Sequence, residues 1–313
     1  MHYLDFEENI KEIDKKLAKD DINDAEKKRL KSKLNRLIER VYQRLTPWQK
    51  TQIARHEDRP HTLDYIRELM PDFFELCGDR AFGEDNSIVA GLAHFHGQTV
   101  MVIGHEKGYN TETRLKHNFG MAKPEGYRKA IRLMKLAEQF GFPVLCFVDT
   151  AGAFPGVDAE ARGQGQAIAS CIATQTTLKT PIITTIIGEG GSGGALALAV
   201  ADKVLILENA IYSVISPEGC ASILWKDFKF AKQASRVLKM TAKDLLRLKV
   251  VDEIIPEPKG GAHRFKQETF QAVDKAILNA LQDFKDTNPN LLVFNRQNKF
   301  LTIGLTFQNK KKN

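Results

Sequence analysis

Apolar positions divide the chain into two unlike stretches. From about Asp5 to Lys50 the sequence is charged and poor in Gly and Pro, with Leu17, Leu30, Leu34, Leu37, Ile38, Val41 and Leu45 at mostly helical spacings. That spacing predicts an amphipathic helical arm over 1–58, either packed on the body as a pair of helices or serving a partner. After Arg59-Pro60, runs rich in Val and Ile alternate with helical patterns, the signature of an α/β body over 59–264. Strands are predicted over 87–95, 99–105, 143–149, 181–187, 203–207 and 212–215. Helices are predicted over 125–140, 159–178, 192–201, 217–225, 230–240 and 242–248. A C-terminal helix and a polar tail containing Lys310, Lys311 and Lys312 complete the chain over 265–313.

Within the body, 90–95 and 99–103 are joined across His96, Gly97 and Gln98, as in a β-hairpin. Two later strands each end in a glycine turn that feeds a helix: CFVDTAGAFPG and TTIIGEGGSGGALA. Such junctions place unpaired N–H groups and the positive end of a helix dipole at one sheet edge, where they suit an oxyanion.

The second turn satisfies two short motifs at once. Gly188, Gly190 and Gly193 spell G-x-G-x-x-G after a strand, and Glu208 stands where a nicotinamide enzyme places its ribose-binding acid. The helix that follows has room for only two to three turns, and this NAD reading leaves the DTAGAFPG turn without a role. Gly190, Gly191, Ser192, Gly193 and Gly194 also match G-x-S-x-G, which would make Ser192 a hydrolase nucleophile. His263 is the one histidine downstream to serve as its base, with Asp202, Asp244 or Asp252 to orient it. In a third reading the glycines are themselves the device, with the Gly193 and Gly194 N–H groups donating to an oxygen that turns negative during reaction. Five glycines in the seven positions from 188 to 194 exceed what helix–strand packing needs.

Composition narrows these options modestly. With 313 residues and 42% apolar content, the chain can bury a large core. Its net charge of +7 suits an acidic partner or a phosphorylated ligand, while no aromatic-interleaved basic motif supports nucleic-acid binding. Four scattered cysteines form neither a disulfide framework nor a C-x-x-C metal knuckle, so no metal is expected and a reducing cytoplasm fits. The N-terminal residues lack the apolar core of a secretory signal, and PIITTII and ALALAVA fall short of the roughly 18 residues of a membrane span.

The order of motifs from RPHTLDYI at Arg59 to EPKGGAHR at Arg264 resembles the alpha subunits of bacterial acetyl-CoA carboxylase carboxyltransferases. The resemblance takes in CGDRAFGED, IGHEKG, NFGMAKPEGYRKAIRLM, FVDTAGAFPGVDAEARGQGQAIA, IIGEGGSGGALA and YSVISPEGCASILWK. It implies the crotonase fold, in which ββα units spiral into a compact body; a doubly wound sheet would explain the bare pattern almost as well. It implies transfer of a carboxyl group from carboxybiotin, borne on a biotin carboxyl carrier protein, to acetyl-CoA, giving malonyl-CoA for fatty-acid synthesis. No cofactor is then covalently bound here. No side-chain base is needed if decarboxylated biotin removes the thioester's methyl proton.

By the same resemblance Gly193 and Gly194 are the N–H donors facing biotin. Gly152, Ala153, Phe154, Pro155 and Gly156, with Gly190, Gly191 and Ser192, shape the carboxybiotin pocket. Where relatives commonly have Asp-Thr-Pro-Gly, this chain has Asp149, Thr150, Ala151 and Gly152. The implied partners are a zinc-knuckle beta chain in an α2β2 assembly, the carrier protein, and biotin carboxylase in the full complex.

Overall fold

The computed structural model describes residues 2–19 and 22–305; the lysines of the polar tail, Lys310, Lys311 and Lys312, lie outside the described residues. The arm folds as α1 (Glu8–Leu17) and α2 (Asp24–Gln43), which pack together through Ile10, Ile38 and Tyr42. Asn23 caps α2 by accepting a hydrogen bond from the Glu26 N–H at 2.9 Å. α3 (Pro47–Ala54) brings Ile53 into this small core, and its other face lies against the sheet. Arg264 ties the arm to the body, reaching Glu7 and Asp14 at 3.3 Å each.

The body begins with α4 (Thr62–Leu69), the short β1 (Phe74–Glu75) and the hairpin of β2 (Ile88–Phe95) and β3 (Gln98–His105). Its turn is His96 and Gly97, with φ of 47° and 79°, the two positive values that a tight hairpin's twist requires. Then follow α5 (Thr111–Lys116), α6 (Pro124–Phe140), β4 (Val144–Thr150), α7 (Val157–Ala161), α8 (Gln164–Thr177), β5 (Ile182–Gly191) and α9 (Ser192–Leu196). The chain continues through β6 (Lys203–Leu207), β7 (Ile211–Ser213), α10 (Pro217–Trp225), α11 (Ala231–Val237), α12 (Ala242–Arg247) and β8 (Glu253–Ile255). α13 (Lys266–Asp283) and α14 (Pro289–Thr302) close it.

These strands form one sheet in the order β1-β2-β3-β4-β5-β6-β8, antiparallel through β3 and parallel beyond. β4 and all but the last residue of β5 are buried, which is why they read as unbroken apolar runs rather than alternating ones. β7 pairs with residues 189–191 of β5, on the same edge where β6 pairs with residues 183–186. One edge of β5 is therefore shared by two strands in succession.

Four predicted elements differ most from those observed. The helix expected over 159–178 is two, α7 and α8, because Gly163 takes a left-handed φ of 83° between them. The strand expected over 181–187 runs on to Gly191, and the helix expected over 192–201 stops at Leu196. The region beyond Arg264 holds two helices; Arg296 of α14 is buried and ion-pairs with Asp202 at 2.6 Å. No helix among the described residues is long and apolar enough to cross a membrane.

Candidate active site

β4 and β5 are parallel, so their C-terminal ends reach the same edge and deliver both glycine turns there. The turns touch backbone to backbone. A Cβ on Gly194 would stand 2.6 Å from the Gly152 carbonyl carbon and 2.7 Å from the Ala153 nitrogen. A Cβ on Gly191 would stand 2.1 Å from the Ala151 oxygen. Glycine is required at both positions for this close approach. Gly190 lies against Tyr212. Gly193 is different, since a Cβ there meets only Ile168, at an ordinary 3.6 Å.

No side chain caps α9, so Ser192, Gly193 and Gly194 present first-turn N–H groups that have no acceptor within the helix. Gly152, Ala153, Gly191, Ser192, Gly193 and Gly194 are thus brought together. Phe154, Pro155 and Gly156 lead away from them toward the start of α6. The Phe154 N–H donates to the Ala122 carbonyl at 3.0 Å, and the Lys123 ammonium sits 4.9 Å from the centre of the Phe154 ring.

Two cavities border the paired turns. An apolar one of about 310 Å³ opens beside Ser192 and Gly193, walled by Leu196, Tyr212, Val214 and Leu245. A second, of about 380 Å³, borders Ala151 and has Arg55, His61, Lys107, Arg114 and Glu189 in its lining.

Beneath the turns lies a buried charge network that the sequence reading did not assign. Asp149 accepts from His61 Nδ1 at 3.0 Å, Lys107 Nζ at 2.8 Å and the Glu189 N–H at 2.9 Å. Burial raises its carboxyl pKa, but Lys107 and His61 outweigh burial and hold it well below the usual carboxylate range. Glu189 is gripped by Arg55 at 2.6 Å, and Arg55 also reaches Glu218 at 2.8 Å. Deeper still, Arg59 and Glu257 form an ion pair at 2.7 Å with side chains 1% and 0% exposed. The signal was present in RPHTLDYI, IGHEKG, DTAG, GEGG and EPKGGAHR. Only their shared burial reveals that these charges belong to one another.

Ser192 has the strained left-handed φ, 52°, of a serine on a strand-to-helix elbow. Among the described residues, however, no histidine lines the cavity beside it. His263 is committed to the arm, stacked on His56 at 4.0 Å between ring centres and 3.5 Å from the Tyr42 hydroxyl. Burial, then His56 and nearby cations, push its pKa down to about 2. Asp202 binds Arg296, the Asp244 carboxylate accepts from the Thr241 hydroxyl and from Arg247 in the first turn of α12, and Asp252 binds Lys299 and the Val204 N–H. The hydrolase reading therefore lacks its base and its orienting acid.

The NAD reading fails on geometry too. Gly188 and Gly190 lie inside β5 rather than in a phosphate loop, and Gly188 leaves room for the Asp149 carboxylate 2.5 Å from where its Cβ would stand. Glu208 has its N–H on the Ile255 carbonyl and its own carbonyl on Lys50.

Glu7, His56 and His263 place potential metal-binding atoms within 4.8 Å of one another. His56 Nδ1 already accepts the Asp58 N–H at 3.0 Å, and its Nε2 meets the His2 carbonyl at 3.1 Å. Glu7 is taken by the Tyr42 hydroxyl and the Leu4 N–H. These partners take up Glu7 and His56, while His263 Nδ1 is buried with no hydrogen-bond partner among the described residues.

The buried imidazoles make stability depend on pH. His105, against the backbone of Phe147 and Gly194, is pushed down to about 4 by burial, and His263 to about 2. The unfolded chain protonates both near the ordinary imidazole value, whereas the folded chain does not. Stability is therefore full above that value and falls as pH drops through it, by up to about 1.4 kcal/mol per pH unit for each histidine. Urea titrations at pH 7 and pH 5 are expected to show the loss, and His263→Gln is expected to flatten the slope.

Comparison with known proteins decides what this edge belongs to. The pattern of the acetyl co-enzyme A carboxylase carboxyltransferase-like family matches residues 2–304. The chain belongs to this family. It is 54% identical over 312 residues to the acetyl-coenzyme A carboxylase carboxyl transferase subunit alpha of Paramagnetospirillum magneticum, covering 97% of this chain and 98% of that one. It is 52% identical over 309 residues to the subunit of that name in Thermus thermophilus, covering 96% and 98%.

Among solved structures, the chain resembles transcarboxylase 12S, with a TM-score of 0.60 at 19% identity over 72% of this chain. It spans 42% of that longer chain. It also resembles a chain of a Pseudomonas malonate decarboxylase hetero-tetramer, with a TM-score of 0.60 at 14% identity, covering 80% of this chain and 98% of that one. The crotonase-like α/β body expected of this carboxyltransferase family is borne out, and the doubly wound alternative is set aside.

Proposed function

We propose that this chain is the biotin-facing alpha subunit of an acetyl-CoA carboxylase carboxyltransferase, moving a carboxyl group from carboxybiotin to acetyl-CoA to give malonyl-CoA. The observation that carries the reading is the pair of glycine turns packed backbone to backbone beside an apolar cavity, in a chain matched along nearly its whole length by subunits of that name. The Gly193 and Gly194 N–H groups donate to the ureido oxygen of biotin as charge develops on it. Donors already fixed in place need no reorganisation at the moment of reaction. The apolar wall at Leu196, Tyr212 and Val214 keeps water from that oxygen and receives the ring system. The carboxyl group leaves biotin as carbon dioxide, the resulting ureido anion takes a methyl proton from acetyl-CoA, and the enolate captures the carbon dioxide.

The remaining requirement is a second oxyanion site for the thioester enolate, and we assign it to a zinc-knuckle beta chain in an α2β2 assembly. The biotin carboxyl carrier protein delivers the substrate, and biotin carboxylase loads it. The four cysteines stand as free thiols, which fits a reducing compartment, and we place the enzyme in the cytoplasm.

Reconstitution tests this reading. The isolated chain is expected to form no malonyl-CoA, and addition of the beta chain with a carboxybiotin donor is expected to restore transfer. Malonyl-CoA from the isolated chain would overturn the shared site. None from the mixture would overturn the function.

A further inference from the structure

The alignment of the two glycine turns depends on an irregularity in the sheet. β4 and β5 keep one parallel register from Val144↔Ile182 to Val148↔Ile186, and then it jumps to Thr150↔Gly190. β4 advances two residues while β5 advances four, so β5 carries a bulge opposite Asp149. In the unbroken register Thr150 would face Gly188, and the second glycine turn would stand two residues out of line with the first.

A bulge takes backbone groups out of the ladder, and buried groups need partners. Here both partners are charged side chains. The Glu189 N–H donates to Asp149 Oδ1 at 2.9 Å, and the Ile187 carbonyl accepts from Arg59 Nε at 2.7 Å. Gly188, between them, has no Cβ to obstruct the carboxylate that reaches into the bulge. His61 and Lys107 hold the same carboxylate from the other side.

We infer that Asp149 is a positioning residue for carboxyl transfer: by holding the β5 bulge it sets the 190–194 turn against the 150–153 turn and so aims the Gly193 and Gly194 N–H groups. This inference rests on the carboxyltransferase reading above. Asp149 touches no substrate in this arrangement and acts through Glu189 and the strand. Motif residues from four separate stretches, Arg59, Lys107, Asp149 and Gly188, gain a common purpose from it.

Two variants move the carboxylate by opposite means. Asp149→Asn keeps the shape and an acceptor for Glu189 but loses the charge that Lys107 and His61 grip. Gly188→Ala keeps the acid and drives a methyl group into it. In the complex assembled with the beta chain, each is expected to lower kcat roughly tenfold while KM for acetyl-CoA and for the biotin donor stays within about twofold, since displaced donors weaken the transition state rather than ground-state binding.

Wild-type complex is assayed alongside, and if it transfers nothing the functional reading has failed rather than this one. With an active wild type, variants that match its kcat overturn the positioning role. So does a kcat loss accompanied by an equal rise in KM, which reports a loosened fold. Should neither variant fold, hydrogen exchange on the wild-type chain decides: the Glu189 amide is expected among the slowest to exchange, and exchange at the rate of an unstructured peptide overturns the inference.

Discussion

Gly194→Ala is expected to cut malonyl-CoA formation by at least about a hundredfold in the reconstituted complex, the typical effect of losing one oxyanion donor. The argument is steric before it is catalytic. The new methyl group would lie 2.6 Å from the Gly152 carbonyl carbon and 2.7 Å from the Ala153 nitrogen, and backbone cannot swing aside as a side-chain tip can. The two turns must separate, and the start of α9 must tilt, so the Gly193 and Gly194 N–H groups both lose their aim. Gly193→Ala is the informative neighbour, because its methyl group meets Ile168 at only 3.6 Å and leaves the turns in contact. It is expected to cost less activity than Gly194→Ala. Initial rates, with circular dichroism to confirm the fold, make the comparison. Transfer by Gly194→Ala within a few-fold of wild type would detach this turn from the chemistry.

That contrast also shows how far the sequence could be read. The run from Gly188 to Gly194 announces a turn at a strand end, and the turn is there. What it cannot announce is the division of labour among its glycines. Gly188 makes room for Asp149, Gly191 and Gly194 admit the backbone of the other turn, and Gly193 borders a cavity. Each role is set by residues far away in the chain, which local patterning does not encode.

The same distinction holds for the fold. β6 and α10 are found at their predicted limits, because KVLIL is a short apolar run after Asp202 and because Ser216-Pro217 is a strong helix start. β8 went unseen, since three residues flanked by acids and a proline carry too little periodicity. The continuation of β5 through Gly191 went unseen as well, because glycines carry no side-chain alternation to mark a strand. The charged residues of the site read naturally as solvated. Arg59 and Glu257, 198 residues apart, become a buried pair only once β5 and the loop after β8 are brought together.

Arg59→Met is expected to destabilise the chain by about 3–5 kcal/mol, the usual result of removing one member of a buried ion pair. Arg59 donates to both Glu257 oxygens, at 2.7 and 3.1 Å, and to the Ile187 carbonyl at 2.7 Å. Methionine fills much of the volume but supplies none of these bonds. Glu257 would keep only neutral donors, the Asn209 and Ala262 N–H groups and the Asn209 amide. Burial raises its carboxyl pKa, and Arg59 outweighs burial to hold it below the usual range. A depressed carboxyl stabilises the fold above its unfolded value and loses that contribution as pH falls through the folded one. The gap between wild type and Arg59→Met should therefore be full at pH 7 and narrow only in acid. Denaturant midpoints measure it, and Arg59→Met combined with Glu257→Leu separates charge from packing. An apolar pair of similar volume often matches a buried ion pair, so the double variant is expected to recover much of the loss. A double variant as unstable as the single one would show that the buried groups left without partners, the Ile187 carbonyl and the Asn209 and Ala262 donors, are the larger cost.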